Sequence, residues 1–433
     1  PPTGSPVSPA ASAGEVNGSA GRRSSLGETG IQVQARVVSV PTRRFGRTEL
    51  PMPVLTCGGM RYQHDWQDVP PEKIPDANQA NLEATVHRAL DAGINHIETA
   101  RGYGSSEMQL GRILPGLPRD EIIVQTKVAP TAKPDEFVAT FEKSMGYLGL
   151  DHVDLLGLHG VNNDELLEWS VRPGGCLDEA EKLREQGRVR HIGFSTHGPT
   201  ELIVRAIESG RFDYVNLHWY WVNGFNWPAV EAATRHDMGV FIISPNDKGG
   251  KLYEPPAKLV ELCKPLHPMQ FNALWCLARP EIHTLSIGAA RPGDFDSPIE
   301  AVASHYGRAG EVTAPIAERL EDAMSASLGA DWLAGWWHGL PDQSAIPGNV
   351  NVHEILRLWN YATALDMVEF ARMRYNLLGN AEHWFPGENA ASFDEAALLD
   401  AVKENPFVER IPGILREAHT MLFTEPAKRL SES

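Results

Sequence analysis

Eight short apolar segments, each followed by a stretch of helical periodicity, are the feature that most constrains the fold. They are "VLTCGG" (54–59), "INHIE" (94–98), "IIVQTKV" (122–128), "VDLLGLH" (153–159), "VRHIGFS" (189–195), "YVNLH" (214–218), "VFIIS" (240–244) and "TLSIG" (284–288). Between them lie "ANQANLEATVHRALDAG", with a glycine in the expected stop position, "DEAEKLREQGRV" and "TELIVRAIESGRF". Eight strands alternating with helices over roughly 250 residues predict an α/β fold, a (β/α)8 TIM barrel. A doubly wound sheet is the alternative, but no GxGxxG follows the first strand.

The flanks read differently. Residues 1–42 are rich in Ser, Gly, Ala and Pro, too poor in bulky apolar groups to offset their ordering entropy, and predict a disordered N-terminal tail. The tail is poor in acids and carries Arg22, Arg23 and Arg36. It is therefore either a remnant of an organelle transit peptide or a plain flexible end, and the expected compartment is the cytoplasm or a plastid or other organelle stroma. Residues 306–433 contain helical patterns only, such as "TAPIAERLEDAMSASLGADWLAGWW" and "VHEILRLWNYATALDMVEFARMRYNLLG", and predict a helical C-terminal domain after a barrel at 43–305.

Charge and cysteine content bound the partners. Lys plus Arg (39) against Asp plus Glu (56) leaves −17, which argues against a nucleic-acid surface. Cys57, Cys176, Cys263 and Cys276 are scattered without a CxxC, so neither a disulfide framework nor a metal site is expected. No run of 18 apolar residues exists, so no membrane span is expected. The expected partner is a small molecule, and the oligomeric state is left open.

Catalytic groups of a barrel project from the C-terminal ends of its strands. Glu98 ends the second strand with Tyr103 just beyond it, Lys127 lies near the end of the third, and His159 ends the fourth. Each alone is ordinary: a solvated lysine, a structural histidine, a packing tyrosine. In order at successive strand ends, they form a set with defined chemistry. A carbonyl that receives a hydride needs a proton donor. Tyr donates with an ordinary pKa of about 10, and a nearby ammonium lowers it. A carboxylate holds that ammonium, and a histidine orients the carbonyl oxygen.

These residues, within "HIETARGYGSSEMQLG", "VQTKV", "DLLGLHG" and "VRHIGFSTHG", followed by "ISPNDKGGKL" and "SIGAARPGDF", resemble the aldo-keto reductase superfamily over about residues 43–305. The resemblance implies an NADPH-dependent carbonyl reductase in which Tyr103 is the general acid, Lys127 tunes it and His159 orients the carbonyl. Glu98 stands where the family usually has Asp. It also implies a nucleotide over the barrel mouth, held by Ser195, Thr196, His218, Ser244, Lys248, Gly249, Gly250, Ile287, Gly288 and Arg291, with Lys248 and Arg291 as phosphate cations. Three positions depart from the family pattern: Thr196 for Asn, His218 for Gln and Ile243 for Tyr. They leave open a nucleotide-binding sensor or scaffold barrel with little turnover, and, more remotely, an isomerase or lyase.

"MRYQHDWQD" and "HWYWVNGFNW" place Tyr62, His64, Trp66, Trp219, Tyr220 and Trp221 near the mouth, either lining an apolar substrate pocket or forming the surface on which the helical domain packs. Tyr62, Trp66, Trp219 and Tyr220 are the candidate substrate contacts. The C-terminal helices resemble the ferredoxin-like domain that some such reductases carry with two four-iron clusters. No cysteine follows Cys276, and Ile346 and Asn405 stand near the expected ligand positions, so the resemblance implies a domain without iron, filled by Trp332, Trp336 and Trp337. An unrelated helical extension is the alternative.

Overall fold

The computed structural model describes residues 39–424. The expected tail up to residue 38, with its basic residues, lies outside the described residues. Residues 39–42, predicted to end that tail, are instead packed: Val40 is buried and its N–H donates to the Ala92 carbonyl at 2.8 Å.

A short hairpin comes first, with β1 (Thr42–Arg44) antiparallel to β2 (Pro51–Pro53). Eight parallel strands follow: β3 (Leu55–Gly58), β4 (His96–Glu98), β5 (Ile123–Val128), β6 (Val153–His159), β7 (Val189–Ser195), β8 (Tyr214–Leu217), β9 (Gly239–Ile242) and β10 (Thr284–Ile287). They close in sequence order, β10 pairing with β3 through Leu285–Leu55 and Ile287–Cys57. Each predicted strand forms, with ends shifted by at most two residues. The hairpin, which no apolar alternation announces, stoppers the N-terminal end of the barrel. Phe45 and Met52 plug an interior formed by Ile123, Leu155, Tyr214 and Phe241. Gly239 lets the plug seat, because a Cβ there would lie 2.6 Å from the Phe45 ring.

The outer helices form as their periodicity predicts. Helix Asp76–Asp91 buries Leu82, Val86 and Ala89 on one face and ends before Gly93, whose φ of +80° suits the reversal into β4. After the barrel come Ala309–Leu328, Ala330–Gly335, Val352–Leu365, Val368–Tyr375, Glu395–Ala401 and Ile411–Leu422. Val352–Leu365 is buried on nearly all sides, the mark of a central helix. It fastens to the barrel where the Arg357 guanidinium, paired with Glu354, donates to the Val222 carbonyl at 2.7 Å. No helix among the described residues is long and apolar enough to cross a membrane.

Inside the barrel, the His96 imidazole is bonded to the Thr56 hydroxyl at 2.8 Å, which in turn meets Thr284 at 2.8 Å. Burial depresses the His96 pKa to about 3. The unfolded chain, with an ordinary value near 6.5, therefore takes up a proton that the folded chain refuses. Stability then falls as pH drops from about 6.5 toward 3, by up to about 1.4 kcal/mol per pH unit from this residue. His96→Asn should make the urea-unfolding free energy less steep against pH between 6 and 4 by about that amount; an unchanged slope would contradict a neutral buried His96.

Candidate active site

The C-terminal ends of β4, β5 and β6 bring Glu98, Lys127, Tyr103 and His159 together. Glu98 and Lys127 are both almost fully buried, and the ammonium donates to Glu98 Oε1 and, at 2.8 Å, to the Thr99 carbonyl. Burial pulls the Lys127 pKa below the ordinary lysine value, and the Glu98 charge opposes that pull. Two glycines make the site possible. Lys127 is in register with Gly157 of β6, where a Cβ would lie 2.9 Å from Lys127 Cγ. Glu98 is in register with Gly58 of β3, where a Cβ would lie 3.2 Å from Glu98 Oε2.

Tyr103 leans over the pair. Its hydroxyl lies 3.5 Å from Glu98 Oε1, and the Lys127 ammonium sits 4.6 Å from its ring centre. His159 meets the Tyr103 ring edge-on, with centroids 5.6 Å apart. The far side of His159 is covered by Trp384, from the segment after the C-terminal helix Val368–Tyr375, with centroids 5.2 Å apart. Trp384 also meets His197 at 5.1 Å and lies flush against Gly160, where a Cβ would be 2.5 Å from the indole.

Beside Tyr103 and Glu98, a cleft opens between the ends of β3, β4, β9 and β10. Ser244 and Gly288 line it as expected, and so do Arg61, Asn246, Asp247 and Tyr253, which the sequence did not single out. Arg61 lies 4.1 Å above the Tyr253 ring, and both donate to the Gly288 carbonyl at 2.8 Å. Asn246 is buried, with neither amide atom hydrogen-bonded among the described residues. Such an amide is a waiting donor–acceptor pair. Arg61 had a weak signal, since it follows the end of β3 by three residues, and Tyr253 had a weaker one, eleven residues past the end of β9. Trp384 had none, because 225 residues separate it from His159.

Other expected contacts lie elsewhere. The Ser195 hydroxyl accepts from the Gly160 N–H at 3.1 Å, and the Thr196 hydroxyl donates to the Val161 carbonyl at 2.7 Å while accepting from Gly198 at 2.9 Å. Ile287 is buried within β10, and Gly249 and Gly250 are turn residues packed against Pro245 and Leu252. His218 is bonded to the Tyr220 hydroxyl and faces His197 at 4.5 Å. Burial holds its pKa well below the ordinary value, which favours the neutral imidazole. Lys248 reaches His197 at 3.5 Å. Arg291 is exposed and paired with Asp294 rather than facing the cleft.

The expected substrate aromatics are mainly packing surface. Tyr62 and Tyr220 are wholly buried, and Trp219 is stacked on Trp275 at 4.3 Å and tilted against Trp227 at 5.0 Å. Trp221 packs on Tyr361 of the C-terminal helices at 5.8 Å. Burying such large apolar rings at the join outweighs leaving them to line an open pocket. Trp66 is half-buried, its backbone pressed against Gly104. At the positions where cluster ligands were considered, Ile346 is buried, and Asn405 donates to the Trp336 and His338 carbonyls, each at 2.8 Å.

Comparison with known proteins agrees with this geometry. Residues 54–224 match the Aldo/keto reductase family. An aldo-keto reductase from Mycobacterium sp. (strain KMS) is 34% identical over 158 residues, 35% of this chain and 50% of that protein. The chain thus spans about half the length of such curated relatives. Among solved structures, the holo form of an aldo-keto reductase from Bacillus halodurans superposes with a TM-score of 0.55 at 19% identity, over 65% of this chain and 96% of that one. A Klebsiella pneumoniae aldo-keto reductase in complex with NADPH gives 0.51 at 19%, over 63% and 94%. At such identities the likeness speaks to the fold alone. The family match runs from β3 to just past β8, so the part of the chain that carries the strand ends with Glu98, Tyr103, Lys127 and His159 is similar to the aldo-keto reductases.

Proposed function

We infer that the protein is an NAD(P)H-dependent oxidoreductase that reduces an aldehyde or ketone, with NADPH as its cofactor and Tyr103 as its general acid. The convergence of Glu98, Lys127, Tyr103 and His159 beside the cleft carries this reading. The cleft's donor set fits the cofactor. The Asn246 amide, without a partner among the described residues, matches a carboxamide, the Arg61 guanidinium suits a phosphate, and Lys248 lies in the loop after β9. The Klebsiella relative of like fold holds NADPH.

When bound, a reduced nicotinamide supplies hydride to the carbonyl carbon. The rest falls to the chain's own side chains. Tyr103 gives its hydroxyl proton to the carbonyl oxygen as negative charge grows there. The Lys127 ammonium beneath the ring stabilises the phenolate left behind, and Glu98 keeps that ammonium charged despite its burial. His159 hydrogen-bonds the carbonyl oxygen, and Trp384 shields this flank from water. A second reading, a nucleotide-binding barrel with little turnover, draws on Ser195 and Thr196, whose hydroxyls are already engaged in the loops.

Following NADPH absorbance with a panel of aldehydes and ketones should reveal turnover. Tyr103→Phe should lower kcat roughly 100- to 10,000-fold while leaving NADPH affinity near the parent's. Tight NADPH binding without turnover across a broad panel would favour the second reading. Glu98→Asp, whose side chain is about 1.5 Å shorter, should fall between the parent and Glu98→Ala in kcat. If all three behave alike, Glu98 has no role.

The buried pair is also testable apart from activity. Lys127→Met leaves the Glu98 carboxylate without its partner and should cost roughly 3–5 kcal/mol in urea unfolding, whereas Lys127→Met with Glu98→Leu should restore the parent's stability or exceed it. A double variant as unstable as the single one would mean the charges do not compensate each other.

A further inference from the structure

Where the loop after β8 meets the C-terminal helices, there is a cavity of about 290 Å³. That is close to the lower end of the range of roughly 300–1,000 Å³ typical of small-molecule sites. Phe225 comes from the loop, Glu321 and Asp322 from helix Ala309–Leu328, Trp336 from the end of helix Ala330–Gly335, and Asn360 and Tyr361 from helix Val352–Leu365. Three separate observations bear on what it would hold.

The first is its walls. Phe225 and Trp336 meet edge to face with centroids 5.8 Å apart, and Tyr361 completes an aromatic lining. The second is charge. Glu321 and Asp322 are adjacent carboxylates, and among the described residues neither forms an ion pair. Burial and the neighbouring Asp322 and Glu318 raise the Glu321 pKa. The third is an unmet donor. Asn360 is almost fully buried and lines the cavity; its Oδ1 accepts from Trp332 Nε1 at 2.7 Å, while its Nδ2 has no partner among the described residues.

Aromatic faces and unpaired carboxylates together attract an organic cation, and the free amide N–H seeks an acceptor oxygen. We propose that this cavity is a second ligand site, for a small arylalkylamine whose ammonium meets Glu321 and Asp322, whose ring packs on Phe225, Trp336 and Tyr361, and which carries an oxygen for Asn360. The site is separate from the cleft beside Tyr103 and does not depend on the reaction assigned there.

Calorimetric titration of the full chain with tyramine, and with tyrosol as its neutral isostere, tests the assignment. Tyramine should bind at least about tenfold more tightly than tyrosol. Glu321→Gln with Asp322→Asn should erase that preference without weakening tyrosol, and Tyr103→Phe should bind tyramine as the parent does. Both acids are on the solvent-reachable side of their helix, so the double variant keeps the fold, which its melting temperature checks. Equal affinity for the two compounds, no binding of either up to about 1 mM, unchanged preference in the acid double variant, or loss of binding in Tyr103→Phe would each overturn the proposal.

Discussion

Two opposite charges share a place from which water is excluded, and much of the barrel mouth is arranged around them. The Lys127 ammonium and the Glu98 carboxylate are each nearly inaccessible, so neither is tolerable without the other. Their meeting depends on strand register. Gly157 opposite Lys127 and Gly58 opposite Glu98 leave the room the two side chains occupy. A one-residue slip of either strand would turn a charge outward or drive it into a neighbour. Tyr103 then lies where the ammonium faces its ring and the carboxylate lies near its hydroxyl, so the pair that is hardest to bury is also the one set against the proposed proton donor.

Around this pair the C-terminal helices are structural as well as peripheral. They cover Trp221 with Tyr361, grip the loop after β8 through Arg357, and deliver Trp384 to the edge of His159. Gly160 is the matching concession on the barrel side, since any side chain there would expel the indole. Two openings of different character result: a cleft lined by Arg61 and the Asn246 amide, and an acidic aromatic cavity against the C-terminal helices.

Much of this was legible in the residues. The eight strands were readable because a strand buried on both faces is a nearly continuous apolar run, and the helices because their buried stripe repeats with the helical period. Glu98, Lys127 and His159 stood out as polar groups at the ends of such runs. The hairpin carrying Phe45 was not legible, since three-residue strands leave no period to detect. The aromatic stretch 218–227 was legible as either a pocket lining or a packing surface, and the sequence left the two open because a tryptophan in a pocket and a tryptophan in an interface look the same in one dimension. Arg291 and Lys248 were chosen for charge and loop position, while among the described residues the cation that lines the cleft is Arg61.

By itself the sequence determined the order of strands and helices, the acidic balance, and the types of residue at the ends of β4, β5 and β6, because these follow from local periodicity and composition. Only the tertiary structure decided which polar atoms have no partner among the described residues, as the Asn246 amide and Asn360 Nδ2 do, and which, like the Thr196 hydroxyl, are already bonded. It alone decided that Trp384 would lie against a histidine 225 positions earlier in the chain. Partnership of polar groups is set by distances of a few ångströms between segments far apart in the chain, and no local pattern encodes those distances.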